Sequence, residues 1–223
     1  EARYQPGAKL SYDAALDPAK NGRLVLYAVW EELPRVCQII RDADGDGVPD
    51  TFFRAYETLS EAFRAVQEND RIEMLRDAPL VDFSSSSAPG DGGVSLASGV
   101  GGVVLTTAPL AQTVAGAMAW QGGAPSSGSP VATIERTSSG ATASWFSVAG
   151  GLALENVAVD GACTTRQAQE GAGIAAEHAL FEVSGASSSL AVGKGAVLRD
   201  ARNAAGAGGA VRAFGGAAVR LSA

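Results

Sequence analysis

Short apolar alternations, each interrupted by glycine, serine or alanine, run through most of the chain. Val94-x-Leu96, Phe146-x-Val148, Phe181-x-Val183 and Val211-x-Ala213 each send every second side chain to one face, which predicts half-buried strands. Beyond a glycine corner each is followed by a second alternation. These are Val103-x-Leu105 after Gly101-Gly102, Leu152-x-Leu154 after Gly150-Gly151, Leu190-x-Val192 after Gly185, and Val219-x-Leu221 after Gly215-Gly216. The repeating unit is thus two short strands bent at a glycine. One such unit cannot bury its inward face, whereas stacked units bury a continuous column, which is the logic of a solenoid. Irregular spacing between copies suits a right-handed parallel β-helix, where corner insertions vary while strands keep register. An antiparallel sandwich is the competing architecture, but hairpin signals such as Asn-Gly between paired alternations are missing after Asp50.

Upstream the pattern differs. Val36, Gln38 and Ile40 alternate with Cys37 and Ile39, a strand apolar on both faces, and an Asp/Gly cluster separates it from a return strand at Thr51-Phe52-Phe53. Leu59, Ala62, Phe63 and Val66 then fall at i, i+3, i+4 and i+7, with Thr58 and Glu61 spaced as a capping box. This predicts a helix over about 58–69, followed by a strand with Ile72 and Met74. An amphipathic face of Leu59, Phe63 and Val66 suits a lid over the end of the column, whose bare strand edges would otherwise template aggregation. Before all this, Leu24, Leu26, Ala28 and Trp30 alternate after a turn at "DPAKNG". The expected organisation is therefore a first module at 1–33, a strand, hairpin and capping helix over 34–79, and β-helix rungs over 80–223. Because "GGAAVRLSA" ends inside an alternation, the sequence is expected to be a piece of a longer protein, incomplete at its C-terminal side.

Three stretches carry family resemblances. Leu26, Tyr27, Ala28, Val29 and Trp30 resemble the closing strand of internalin B-type repeats, the β-grasp-like modules of bacterial surface proteins, of which 1–33 would be the end. "GLALENVAVDG" resembles a rung of pectin-lyase-like β-helices. Tyr56, Thr58, Leu59 and Ala62, with Ile72, Met74 or Leu75, and Asp77, resemble the helix and first rung that open bacterial surface β-helix proteins. Together these resemblances imply an extracellular or cell-surface location. They imply an adhesin-like or rigid display role, with a glycan or a host or cell-surface protein as partner. Polysaccharide lyases and glycoside hydrolases share the fold, so the alternative is a carbohydrate-active enzyme whose catalytic rungs lie outside this sequence.

Composition narrows the classes. Lys and Arg number 17 against 24 Asp and Glu, a net charge of −7, and the basic residues are scattered, so no row of phosphates could be neutralised and nucleic acid is not expected as a partner. No apolar run approaches the roughly 20 residues that cross a bilayer, and a monomer is expected. Cys37 and Cys163 lie far apart without metal-ligand spacing and read as two unpaired thiols. Glycosidase or lyase chemistry needs paired carboxylates, or an acid with a base, on one face. Glu155, Asp160, Arg166, Arg199 and Asp200 are single charges at outward or loop positions, and His178 has no partner motif. No catalytic residues are assigned, and no ligand-binding residues either. Trp120 and Trp145 are expected to plug a corner or shield a loop.

The densest chemistry is "RDADGDGVPDT". Asp42, Asp44 and Asp46 open like an EF-hand loop and Asp50 takes the ninth position, but the twelfth is Phe53 where a bidentate Glu should stand. Two readings follow. The four aspartates hold calcium in a looser site, or Asp-Gly and Pro-Asp steps close a tight hairpin. No cofactor is required in either case.

Overall fold

The chain divides into two units, Glu1–Leu33 and Pro34–Ala223. A computed structural model describes residues 35–79, 94–125, 128–136, 145–164, 179–202 and 209–222, all in the second unit. The first module, with Tyr27 and Trp30, lies outside the described residues, as do Arg166 and His178.

The described part opens with β1 (Cys37–Arg41), β2 (Thr51–Tyr56) and the helix α1 (Leu59–Ala65). The chain then visits three sheets in strict rotation. The first circuit is β3 (Arg71–Met74), β4 (Ala78–Pro79) and β5 (Val94–Leu96). The second is β6 (Val103–Thr107), β7 (Ala132–Glu135) and β8 (Phe146–Val148), and the third β9 (Gly151–Leu154), β10 (Val157–Asp160) and β11 (Phe181–Ser184). Last come β12 (Ser189–Val192), β13 (Val197–Arg199) and β14 (Val211–Phe214), with β15 (Ala218–Leu221) returning to the first sheet. The sheet orders are β15-β12-β9-β6-β3-β1-β2, β13-β10-β7-β4 and β14-β11-β8-β5. Pairing is parallel throughout the circuits and antiparallel only where β1 meets β2 and β3. The protein is mainly β, mostly parallel, and compatible with a β-helix-like fold. Parallel stacking begins at Arg71, so the 34–79 segment already supplies two strands to the first circuit.

The repeated apolar positions lie in register. Ile72, Leu105, Leu154, Val192 and Leu221 form one row of neighbours, and Val103, Leu152, Leu190 and Val219 another. In the third sheet Val94, Phe146, Phe181 and Val211 align. Phe146 and Phe181 stack with centroids 4.4 Å apart and planes 18° from parallel. Each is fully buried, and such a ring pair adds about 0.5–1.5 kcal/mol to what burial supplies. Corners bring the backbone close. A Cβ on Gly150 would lie 2.1 Å from the Val100 carbonyl oxygen and 2.7 Å from that of Ala97, so only glycine fits between β8 and β9. Between β9 and β10 Asn156 turns the chain at φ 48°, a left-handed conformation that Asn tolerates better than most residues.

The helix covers the first circuit. Leu59, Ala62 and Phe63 are buried on its inner face, and Phe63 meets Phe146 edge-on at 6.1 Å. Thr58 caps it by accepting a bond from the Glu61 N–H at 3.2 Å. It ends at Ala65 and does not reach Asn69 as the periodicity suggests. Two polar groups stop it: half-buried Arg41 donates from Nη2 to the Ala65 carbonyl at 3.0 Å, and the buried Asp70 carboxylate accepts from the Gln67 N–H at 2.8 Å. Val66 is already extended and Asn69 sits at φ 62°.

Phe146 touches the cap on one side and the next circuit on the other. Phe146→Ala is expected to cost about 3–5 kcal/mol, read as a lower denaturant midpoint with an unchanged slope; a loss under 1 kcal/mol would show that the column is not packed this way.

Candidate functional site

The loop joining β1 and β2 gathers the aspartates. Asp42 accepts from Gly45 N–H through Oδ1 at 2.8 Å and from Gly47 N–H through Oδ2 at 2.9 Å. Asp44 Oδ1 accepts from Asp46 N–H at 3.3 Å, and Asp46 Oδ1 from Val48 N–H at 2.7 Å. These are side-chain turns of the kind Asp forms with backbone a few residues on. Gly45 and Gly47 stand at φ 78° and 87°, where a side chain would be strained. Hence Asp and Gly alternate because each carboxylate closes the step that the next glycine permits.

The same geometry draws Asp42, Asp44 and Asp46 together, with one carboxylate oxygen of each within 4.8 Å of the others. Asp50 stands apart from this group: its Oδ1 accepts from the Thr51 hydroxyl at 3.0 Å. Calcium takes six to eight oxygens at about 2.3–2.6 Å, of which the three carboxylates are a partial set. Phe53, at the position of a bidentate Glu, lies under the Arg41 guanidinium at 3.7 Å. Arg41 also holds the fully buried Asp70 with three contacts of 3.0–3.2 Å, so it ties the hairpin to the end of the helix.

The other charged candidates sit on the second sheet. Asp160 and Arg199 are register neighbours, with Glu135 on the far side of Asp160. Arg199 Nε donates to Asp160 Oδ2 at 2.6 Å, and Ala162 N–H donates to Oδ1 at 2.8 Å. Asp200 accepts from both the N–H and the hydroxyl of Thr164, at 2.9 and 2.7 Å. Asp160 thus closes a local turn, and Asp200 ties its corner to that of the preceding circuit. Glu155 is exposed on the opposite corner, so the fold does not bring it beside Asp160. Trp145 is buried with the Arg136 guanidinium 4.5 Å above its ring, while Trp120 is half-buried and donates from Nε1 to the Gly123 carbonyl at 3.0 Å. Cys37 and Cys163 are free and buried. Burial, and next the Glu61 carboxylate, push the Cys37 thiol well above the ordinary range, so it stays protonated and is a poor nucleophile.

One polar centre was not legible beforehand. Gln38 and Glu73 are 0 % and 2 % exposed, and Gln38 Nε2 donates to Glu73 Oε2 at 2.8 Å. Arg71 Nε donates to Oε1 at 2.9 Å and Gln112 Nε2 to Oε2. Alternation places Glu73 opposite Ile72 and Met74, on an outward face, but says nothing of the loop that covers it.

No protein-family model, no curated protein and no solved structure matches the chain.

Because the loop's own N–H groups occupy the carboxylates, the hairpin tip is expected to close without an ion. Asp42→Ala, which removes two acceptors, should cost about 1 kcal/mol, whereas millimolar calcium should leave the melting temperature unchanged. A calcium-dependent rise abolished by Asp44→Asn with Asp46→Asn would make the loop an ion site.

Proposed function

We propose that this chain is a non-catalytic, display-type module of a bacterial cell-surface or secreted protein, in which residues 34–223 build a right-handed parallel β-helix that carries loops on a stiff rod. The observation that carries this reading is the alignment of the insertions. Strands of the second sheet end at Pro79, Glu135, Asp160 and Arg199, which are successive register neighbours. The chain re-enters the third sheet at Val94, Phe146, Phe181 and Val211, again one row of neighbours. The connections 80–93, 136–145, 161–180 and 200–210 therefore leave and return along one edge of the stack. By contrast the connections 149–150, 185–188 and 215–217 are tight glycine corners. Long connections recur on this edge in every circuit, whereas elsewhere there is a single long one, 108–131, and recurrent loops on one edge are how a repeat scaffold presents a binding surface without disturbing its core.

The resemblance of residues 26–30 to an internalin B-type repeat supports a stalk-and-display arrangement, and a glycan or a host or cell-surface protein is the partner class it suggests. Among the described residues no helix is long and apolar enough to cross a membrane. Two of the acids at the loop edge, Asp160 and Asp200, are engaged by backbone and Arg199, whereas a general base needs a carboxylate available to the substrate.

Affinity electrophoresis in gels containing uronic-acid polymers or neutral bacterial polysaccharides tests this reading together with an assay for chain cleavage. Retardation by at least one polymer, weakened when 165–178 is replaced by a short Gly-Ser link, with no new chain ends formed, is the expected result. Cleavage of any of these polymers would contradict it.

A further inference from the structure

We infer that residues 109–120 form a strap that opens locally from the first sheet, with Glu73 as its latch. The segment leaves β6 at Ala108, whose N–H donates to the Met74 carbonyl at 2.8 Å, and rejoins at Gln121, whose N–H donates to the Leu75 carbonyl at 2.7 Å. Trp120 N–H donates to the Pro109 carbonyl at 2.9 Å, which closes the two ends on each other as in an Ω-loop. Its hinges are thus adjacent and both rest on the backbone at the end of β3.

Between the hinges the strap is fastened by side chains. Gln38 Nε2 donates to the Met118 carbonyl and Gln38 Oε1 accepts from the Met118 N–H, each at 2.8 Å. Gln112 Nε2 donates to Glu73 Oε2, the same oxygen that holds Gln38. Every residue from 109 to 120 is exposed or half-buried, while Gln38 and Glu73 beneath are sealed. The strap therefore contributes no fully buried apolar anchor: half-buried Trp120 packs against the core at the hinge, and between the hinges the attachment rests chiefly on polar contacts to one amide and one carboxylate. Opening returns those groups to water, so the desolvation cost of burying a carboxylate is recovered and offsets part of the hydrogen bonds lost. Segments with few buried apolar contacts open below the global unfolding free energy. Opening bares a strip of Gln38, Glu73 and Arg71 beside Phe52, against whose ring Gly116 is seated.

Amide hydrogen exchange of the intact chain, followed by NMR, tests the inference through Met118, whose N–H is held by a side chain. Gln112→Ala removes one latch contact at a half-buried position. It should speed Met118 exchange about tenfold, the usual worth of a hydrogen bond to a charged group, and leave Val104 in β6 and Glu155, whose N–H donates to the Leu105 carbonyl just after β9, unchanged. Equal rates at Met118 in both proteins would overturn the latch. So would an equal acceleration at Val104 and Glu155, or a Met118 amide already unprotected before substitution.

Discussion

Everything described depends on strand register. In a stack of parallel strands each inward side chain meets its counterpart one circuit away, and a slip of one residue would turn every inward side chain outward. Here the rows Ile72–Leu105–Leu154–Val192 and Val94–Phe146–Phe181–Val211 leave no such freedom, because the residue after each is Ser, Glu, Arg, Thr or Gly. Stacked Phe146 and Phe181 are the bulkiest side chains of their row. The glycine corners follow from this constraint: with the strands locked, Gly150 must pass within contact of the previous circuit's carbonyls, and no side chain has room there.

Register also explains why the first end of the stack is built differently. Antiparallel β1 covers the free edge of β3, and α1 lays Leu59 and Phe63 over the apolar end of the column. Arg41 joins these parts by bonding Asp70, capping the last helical carbonyl and lying over Phe53. The aspartate loop is the far tip of this device. Its carboxylates hold their own backbone, and Phe53 contributes to a cation–π contact where an EF-hand loop would place its bidentate Glu. The further strap over Glu73 adds a polar cover to a sheet face that the apolar pattern leaves bare.

Much of this was legible in the sequence. The glycine-cornered repeats named the strands of the first and third sheets and their alignment, since the same apolar spacing recurs where the structure stacks it, and Thr58 with Glu61 marked the helix start. The second sheet was harder to see. Val157–Asp160 shows within "GLALENVAVDG", but Ala132–Glu135 and Val197–Arg199 alternate weakly and Ala78–Pro79 is only two residues long, too short for periodicity to register. The helix end was overrun because Val66 continues the apolar spacing, while the groups that stop the helix, Arg41 and Asp70, act from outside it. Glu73 escaped notice for a related reason: alternation predicts which way a side chain faces, and only tertiary structure shows that residues 109–120 fold over it. The site candidates fared similarly. The clustering of Asp42, Asp44 and Asp46 follows from their spacing, whereas the separation of Asp50 follows from its bond to Thr51.

Cross-linking by register reads the central claim most directly. Ala153 and Ala191 are outward neighbours on β9 and β12, and parallel strands about 4.8 Å apart lie within disulfide reach. In a protein whose Cys37 and Cys163 are replaced by Ser, Ala153→Cys with Ala191→Cys should oxidise to a single intramolecular disulfide under native conditions, while Ala153→Cys with Arg220→Cys, two strands apart, should not. No cross-link in the first pair, or equal yields in both, would contradict the stacked, in-register arrangement.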